Sequence, residues 1–307
     1  MSKIYDTIII GGGPAGLAAG LYGGRARMNT LLIERAKFGG QAATTEEIEN
    51  YPGSVEDKTA SLITRLKTQA ENFGTEIVKD EVMDVQLEGD IKVVKGRNTE
   101  YQGKTVIIAT GANPKLSGFK NEVELRGKGV SYCATCDADF FTELDVAVIG
   151  GGDSALDEAL YLTKFAESVT IIHRRHEFRA NKAVQEKVFN HPKIKVIWDT
   201  IVEEAIDDEG ILGGLILKNR ETNEVSELKV DGCFVFVGYN PNSEVFKGKV
   251  NMTERGDIIA DEATHTNIPG VFAAGDVRDK VLRQVITATA DGAIAATQAE
   301  HYVENLK

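Results

Sequence analysis

Apolar residues come along this chain in two rhythms. Short, unbroken, β-branched runs are each closed by glycine, and stretches rich in alanine and leucine at helical spacing follow them. The first run, Thr7-Ile8-Ile9-Ile10, predicts a strand buried on both faces; it passes straight into Gly11-Gly12-Gly13-Pro14-Ala15-Gly16, and a helix is expected from Leu17. Asn29-Thr30-Leu31-Leu32-Ile33 predicts a second strand, 58–73 a helix, and 76–94 and 104–109 short strands. The rhythm then restarts. Asp145-Val146-Ala147-Val148-Ile149 predicts a strand, Gly150-Gly151-Gly152-Asp153-Ser154-Ala155 a tight turn, 156–165 a helix, 169–172 another strand and 193–237 mainly strands and turns. Val271-Phe272-Ala273-Ala274 predicts a last buried strand, and an alanine-rich helix runs to about Glu304. Alternation of this kind predicts the α/β class with parallel sheets.

A weak internal echo divides the chain. Gly111-Ala112-Asn113-Pro114 follows one apolar strand, and Gly238-Tyr239-Asn240-Pro241 follows another, Cys233-Phe234-Val235-Phe236-Val237. Both halves share a glycine-rich strand-helix start, an antiparallel excursion and a strand ending in Gly-x-Asn-Pro. The two proline turns read as crossings, so 114–241 is expected to be a domain inserted into a discontinuous one made of 1–113 and 242–307.

The glycine turns carry candidate chemistry. Gly11 permits the tight turn, Gly13 lets a pyrophosphate approach the backbone, Gly16 lets helix and strand pack closely, and the helix start favours negative charge. Alone, such a pattern is merely a tight turn. Glu34, at the end of the second strand, stands where a carboxylate meets adenosine ribose hydroxyls, and this makes the first repeat a dinucleotide site. In the second repeat the equivalent strand is followed instead by His173-Arg174-Arg175-His176-Glu177-Phe178-Arg179. A basic cluster is ordinarily a solvated face, but after a dinucleotide turn arginines can grip a 2'-phosphate through planar, charge-assisted bonds. The loops Phe38-Gly39-Gly40-Gln41 and Ile48-Glu49-Asn50-Tyr51-Pro52-Gly53 offer Gln41 and Asn50 as partners for a flavin ring edge, or are plain solvated loops. After the last strand, Gly275-Asp276 offers an acid for a polyol chain such as ribityl. Arg283-Gln284-Val285 leads a helix whose dipole would stabilise negative charge on a reduced ring; an ordinary loop acid and terminal helix are the alternative.

Two of the three cysteines lie in Tyr132-Cys133-Ala134-Thr135-Cys136-Asp137. That spacing closes a small dithiol/disulfide loop able to shuttle two electrons, and Asp137 follows as a candidate proton source. A structural zinc site would need four Cys or His ligands, commonly in closely spaced pairs; Cys233 sits in an apolar strand-like run, and the five histidines are scattered. The pattern favours redox use over zinc or buried structural cysteines, and no metal is expected.

Net charge then narrows the partners. With 35 basic and 47 acidic residues the chain carries −12, which repels nucleic acid and anionic membrane surfaces. No apolar stretch reaches the roughly 18 residues of a membrane span, and the opening residues run directly into the first strand, so no signal peptide is expected. Few cysteines fit a reducing cytoplasm.

Together, the Gly-x-Gly-x-x-Gly turn, Gly39-Gly40-Gln41, Glu49-Asn50-Tyr51-Pro52-Gly53, Ala109-Thr110-Gly111, Cys133-Ala134-Thr135-Cys136-Asp137, Gly150-Gly151-Gly152-Asp153, His173-Arg174-Arg175 and Gly275-Asp276 resemble the low-molecular-weight thioredoxin reductases of bacteria over essentially the whole chain. The resemblance implies two Rossmann-like, three-layer dinucleotide-binding domains, with the NADPH domain (114–241) inserted into the FAD domain. It implies an FAD-containing homodimer that takes hydride from NADPH, reduces its disulfide and passes the electrons to thioredoxin. Cys136 would face the flavin, Cys133 would attack the partner's disulfide and Asp137 would protonate. FAD contacts are expected from Gly11, Gly13, Pro14, Ala15, Gly16, Glu34, Gly40, Gln41, Asn50, Val82, Thr110, Gly111, Gly275, Asp276, Arg283, Gln284 and Val285. NADPH contacts are expected from Gly152, Asp153, Ser154, His173, Arg174, Arg175 and Arg179. Ala138 departs from the glycine of many members. A reductase serving a peroxiredoxin system and a dithiol oxidase are the nearest alternatives. Because disulfide and nicotinamide sites both fall in the insert, the insert is expected to rotate about 111–114 and 238–241.

Overall fold

The computed structural model describes residues 3–44, 48, 50–54 and 59–306; Glu49 and Lys58, named above, lie outside them. The chain divides into two compact units, 1–113 with 240–307, and 114–239.

In the first unit the strands run in the order Glu76–Lys79, Thr30–Glu34, Ile4–Ile10, Glu100–Ile108, Lys92–Gly96, Val82–Gln86, and Val271–Ala273 also pairs with Glu100–Ile108. Ile8 stands between Leu31 and Val106, and Ile9 between Leu32 and Ile107, all in parallel register. The runs are apolar throughout because both faces are covered. Ile9, Leu32, Ile107 and Phe272 share one core cluster with Leu17, Ala19, Ala295 and Ala299 from the helices Pro14–Arg25 and Val285–Asn305. Ile8, Ile10, Leu31, Ile33, Val106 and Ile108 share another with Val85, Val94 and Phe246. Each such side chain contributes about 1.5–3 kcal/mol by burial. The 76–94 stretch resolves into Glu76–Lys79 and Val82–Gln86, the latter antiparallel to Lys92–Gly96.

Five parallel strands organise the second unit, in the order Ile194–Ile197, Ser168–Ile172, Asp145–Gly150, Gly232–Phe236, Val130–Ser131. An antiparallel sheet of Thr200–Asp208, Ile211–Asn219 and Val225–Leu228 packs its apolar residues with them. Cys233 lies fully buried mid-sheet, paired with Ala147 on one side and Val130 on the other, so the third cysteine is a core residue. Where the helix was expected over 156–165, it runs Asp153–Leu162, because the chain turns helical directly after Gly152. The connecting segments Ala112–Pro114 and Tyr239–Pro241 pair as two short strands.

Candidate functional site

Cys133 and Cys136 are joined as a disulfide with Cα atoms 5.3 Å apart. They bracket a single helical turn, Ala134–Asp137, and the amides of Cys136 and Asp137 donate to the Cys133 carbonyl at 3.4 and 3.2 Å. Ala134 and Ala138 fix that turn by packing against Val146, Ala155 and Ala159. Ala138 is itself helical (φ −59°), a conformation that does not call for glycine, so alanine alters nothing in the turn after the disulfide. Thr135 Oγ1 lies 3.4 Å from Cys133 Sγ. Beside the sulfurs, Ser131 Oγ donates to Asp137 Oδ2 at 2.6 Å and accepts from the Cys133 amide at 3.1 Å. Burial pushes the Asp137 carboxyl up from the ordinary range, opposed by the Ser131 hydrogen bond and the charge of Arg126. An acid so placed holds its proton to higher pH than a surface aspartate does.

The strand leading into the cysteines is anchored by a buried carboxylate. Glu122 accepts from the Tyr132 hydroxyl at 2.8 Å and from the amides of Ser117 and Gly118 at 2.9 and 2.6 Å, while the Arg126 guanidinium sits 4.8 Å from the Tyr132 ring centre. Burial and Glu122 both push the Tyr132 phenol up, so it stays a donor. Ser131, Glu122 and Arg126 were not legible as site residues: a serine two residues before Cys133 has nothing in its type to mark it, Arg126 and Glu122 touch the site through Tyr132, and Glu122 is one acid among many in the sequence.

In the first unit, Gly13 caps the helix Pro14–Arg25 without a side chain, and a Cβ built on it meets nothing within 4 Å. Glu34 Oε2 accepts from the Gly12 amide at 2.6 Å and Oε1 from Ala36 at 2.8 Å, which holds the acid against the turn. Gln41 Nε2 donates to Asn113 Oδ1 at 2.5 Å, and Asn50 Nδ2 to Gln284 Oε1 at 3.0 Å. Gln284 caps the helix Val285–Asn305 in a reciprocal box with Thr287. Thr110 Oγ1 donates to the Asn242 carbonyl at 2.7 Å, Arg283 Nη2 to Asp257 Oδ1 at 2.9 Å, and Val82, half-buried, opens the strand Val82–Gln86. Asp276 Oδ1 is buried with no hydrogen-bond partner among the described residues, and burial pushes this carboxyl up against the opposing charges of Lys280 and Arg283. Gly275 is held by its amide, which donates to Asp291 Oδ2 at 2.9 Å. An open turn of amides, an anchored acid and a buried carboxylate oxygen without a hydrogen-bond partner among the described residues fit a flavin dinucleotide: amides for pyrophosphate, Glu34 for ribose, Asp276 for a polyol hydroxyl. Asn242, Asp257 and Asp291 escaped the sequence reading, since nothing local distinguishes them.

The second glycine turn is built the same way in its own unit. A Cβ on Gly150 would stand 2.5 Å from Ala155 Cβ, whereas one on Gly152, the cap of Asp153–Leu162, meets nothing within 4 Å. Asp153 Oδ1 accepts from the Asn181 amide at 2.7 Å, and Ser154 is exposed. His173 is buried beneath the turn, where a Cβ on Gly151 would meet its ring at 2.2 Å; its Nε2 lies 3.0 Å from the Glu177 carbonyl, and burial lowers its pKa. Arg174, Arg175 and Arg179 are exposed, and the Arg179 amide donates to the Gly151 carbonyl at 2.8 Å, which ties the basic loop to the turn. Arg220, unremarked in the sequence, joins this loop by donating to the Arg174 carbonyl at 3.0 Å. These groups fit a phosphorylated nicotinamide dinucleotide: open amides beside clustered guanidinium groups.

Among the described residues no helix is long and apolar enough to cross a membrane. A family profile described as pyridine nucleotide-disulphide oxidoreductase matches residues 5–292. A protein named thioredoxin reductase from Peptoclostridium acidaminophilum is 56% identical over 311 residues, covering 99% of this chain and 98% of that protein. Another of that name from Bacillus subtilis (strain 168) is 45% identical over 305 residues, covering 99% and 96%. The crystal structure of thioredoxin reductase from Streptococcus pyogenes MGAS5005 superposes with a TM-score of 0.95 at 41% identity, covering 99% of this chain and 100% of that one. Use of a flavin and of NAD(P)H goes with this family. The chain therefore belongs to the pyridine nucleotide-disulphide oxidoreductases and, within them, to the low-molecular-weight, bacterial-type thioredoxin reductases.

Proposed function

We propose that this chain is an NADPH-dependent thioredoxin-disulfide reductase that uses FAD. The observation that carries the reading is the Cys133–Cys136 disulfide with Asp137 half-buried beside it, in the same unit as an arginine-flanked dinucleotide turn. The unit of 1–113 and 240–307 is the FAD domain in this reading, and 114–239 is the NADPH domain. When bound, the flavin supplies two-electron transfer between the nicotinamide and the disulfide. The chain's own residues then do the following. Amides at Gly11–Gly16 and Gly152–Ser154 bind phosphates, Glu34 and Asp276 bind hydroxyls, and Arg174, Arg175 and Arg179 select the 2'-phosphate. Cys133 attacks the thioredoxin disulfide, with Thr135 Oγ1 near enough to donate to its thiolate. Cys136 resolves the mixed disulfide, and Asp137 returns a proton to the leaving sulfur. The protein works as a homodimer in the cytoplasm. Anaerobic titration with NADPH and then NADH, followed by thioredoxin disulfide and a count of new thiols, tests this reading; no thiols formed at the expense of NADPH overturns it.

Neutral residues at Arg175 and Arg179 are expected to raise the NADPH requirement while sparing NADH. Each lost charge-assisted bond is worth about 1.5–3 kcal/mol, or roughly one to two orders of magnitude in affinity. Equal losses with both nucleotides in steady-state assays would make these arginines structural.

The proposal includes rotation of the insert, because the disulfide and the nicotinamide site belong to one unit and both have to reach the flavin. Supporting it, Gly111 (φ +67°) and Gly238 (φ +116°) take left-handed conformations, and a Cβ on either meets nothing within 4 Å, so local packing does not block the backbone there. A reversible crosslink between cysteines introduced in the two units is expected to stop NADPH-to-thioredoxin turnover, with recovery on release. Unchanged turnover in the locked protein refutes the rotation.

A further inference from the structure

We infer that Ser131 is a positioning residue whose single hydroxyl hydrogen couples the protonation of Asp137 to the backbone of Cys133. Its main chain is fixed in the strand Val130–Ser131, opposite Phe234, and the residue is buried. Around its oxygen stand one donor and two acceptors. The Cys133 amide donates to it at 3.1 Å, Asp137 Oδ2 lies at 2.6 Å and the Cys133 carbonyl oxygen at 3.3 Å. A hydroxyl has one hydrogen to give, so it serves one acceptor at a time.

That choice depends on the acid. While Asp137 is ionised, the short contact requires the hydroxyl to donate to the carboxylate. Once Asp137 is protonated, its own O–H donates to Ser131 Oγ, and the hydroxyl hydrogen turns to the Cys133 carbonyl. This carbonyl is the same oxygen that accepts the amides of Cys136 and Asp137, the bonds that form the disulfide's helical turn. When Asp137 gives its proton to an exchange thiolate, the carboxyl O–H breaks, an S–H forms, and the Ser131 hydrogen swings back to the new carboxylate with no net gain or loss. Ser131 thereby stabilises the acid's conjugate base at the moment it appears and relaxes the carbonyl that braces the sulfurs.

Other charges act on the acid as well. Arg126 favours its ionised form. The helix Asp153–Leu162, packed against the turn, contributes Asp153, Asp157 and Glu158; the short 3-10 helix that follows the turn, Ala138–Phe141, carries Asp139, and the neighbouring strand Gly232–Phe236 carries Cys233. Burial and Asp157 push Glu158 up to about 7. Any test must therefore isolate Asp137's own titration.

The inference rests on the reading of Asp137 as the proton donor of thiol exchange, and its test is separable from thioredoxin reduction. The infrared signal of the protonated Asp137 carboxyl is followed against pH in the holoenzyme, with Asp137→Asn identifying the band. The same variants are assayed for the pH dependence of exchange between the enzyme's dithiol and a small disulfide. Ser131→Ala removes a bond that favours the charged form, so the midpoint and the alkaline limb of the exchange profile are both expected to rise by about one pH unit. Ser131→Thr keeps the hydroxyl and is expected to follow the wild type. In an Asp137→Asn background, removing the Ser131 hydroxyl is expected to leave the pH dependence of exchange unmoved, since the serine's pH effect acts through the acid. If the alanine variant fails to fold, Ser131→Gly, which also lacks the hydroxyl, is expected to shift the midpoint in the same direction. An unmoved midpoint in a folded Ala or Gly variant overturns the inference, whatever thioredoxin assays show.

Discussion

Cys133→Ser and Cys136→Ser are each expected to reduce steady-state turnover of thioredoxin disulfide to the uncatalysed background, while NADPH-driven reduction of a small artificial acceptor by the flavin-loaded protein persists. One thiolate can open a partner's disulfide, but the resulting mixed disulfide needs a second thiol to release it. The two sulfurs here are already bonded to each other across a single helical turn, and Cys233 is fully buried in the sheet with its thiol pushed up by burial, so it is no substitute. The two variants are expected to fail differently. Cys136→Ser should retain the attacking sulfur and accumulate a covalent adduct with thioredoxin, whereas Cys133→Ser should not. Non-reducing electrophoresis with mass analysis reads this directly. Turnover in either variant defeats the dithiol mechanism, and an adduct confined to Cys133→Ser exchanges the roles of the two sulfurs.

Legibility in the sequence followed the range of the physics. Thr7-Ile8-Ile9-Ile10 and Val146-Ala147-Val148-Ile149 announce themselves because strands covered on both faces must be apolar at every position, and the buried registers of Ile8, Ile9, Val146 and Val148 have that form. The glycine turns are legible for the same local reason: Gly11 takes φ +112°, and no side chain fits where Gly16 meets the turn. What stayed hidden was assembled across sequence distance. Asn242 accepts from Thr110 across 132 residues, and Asp257 meets Arg283 from 26 residues away. His173 shows the limit from the other side. It stands at the head of the basic cluster with its ring packed against Phe178 and Trp198 under Gly151, while Arg174, Arg175, His176, Glu177 and Arg179 are exposed. The strand ends at Ile172, so the burial of His173 and the exposure of the residues from Arg174 to Glu177 are set by how the following loop folds against the glycine turn, and a cluster's composition does not reveal that.

Gly13→Ala and Gly16→Ala are expected to separate cofactor binding from folding within one turn. At Gly16 an added Cβ would lie 1.8 Å from the Gly11 carbonyl oxygen, and that oxygen belongs to the backbone of the turn itself, so relief requires moving the strand's exit or the helix. The helix has little room to move, because a Cβ on Gly292 of Val285–Asn305 would already stand 2.0 Å from the Ala15 carbonyl. Overpacking of this severity is expected to cost at least roughly 3 kcal/mol. At Gly13 the backbone is ordinary for alanine (φ −76°, ψ −176°) and the space for a methyl is open. Stability there is expected to change by less than about 1 kcal/mol, since a slightly worse cap is offset by a less flexible unfolded chain. The same methyl, however, stands where a pyrophosphate must approach the helix-start amides, so Gly13→Ala is expected to purify folded and largely without flavin. Bound flavin stabilises whatever holds it, so unfolding must be compared on proteins stripped of flavin, with flavin content measured separately by absorbance. A fully yellow Gly13→Ala protein would move the dinucleotide site away from this turn, and a Gly16→Ala protein unfolding with the wild type would show that the turn tolerates the contact its geometry forbids.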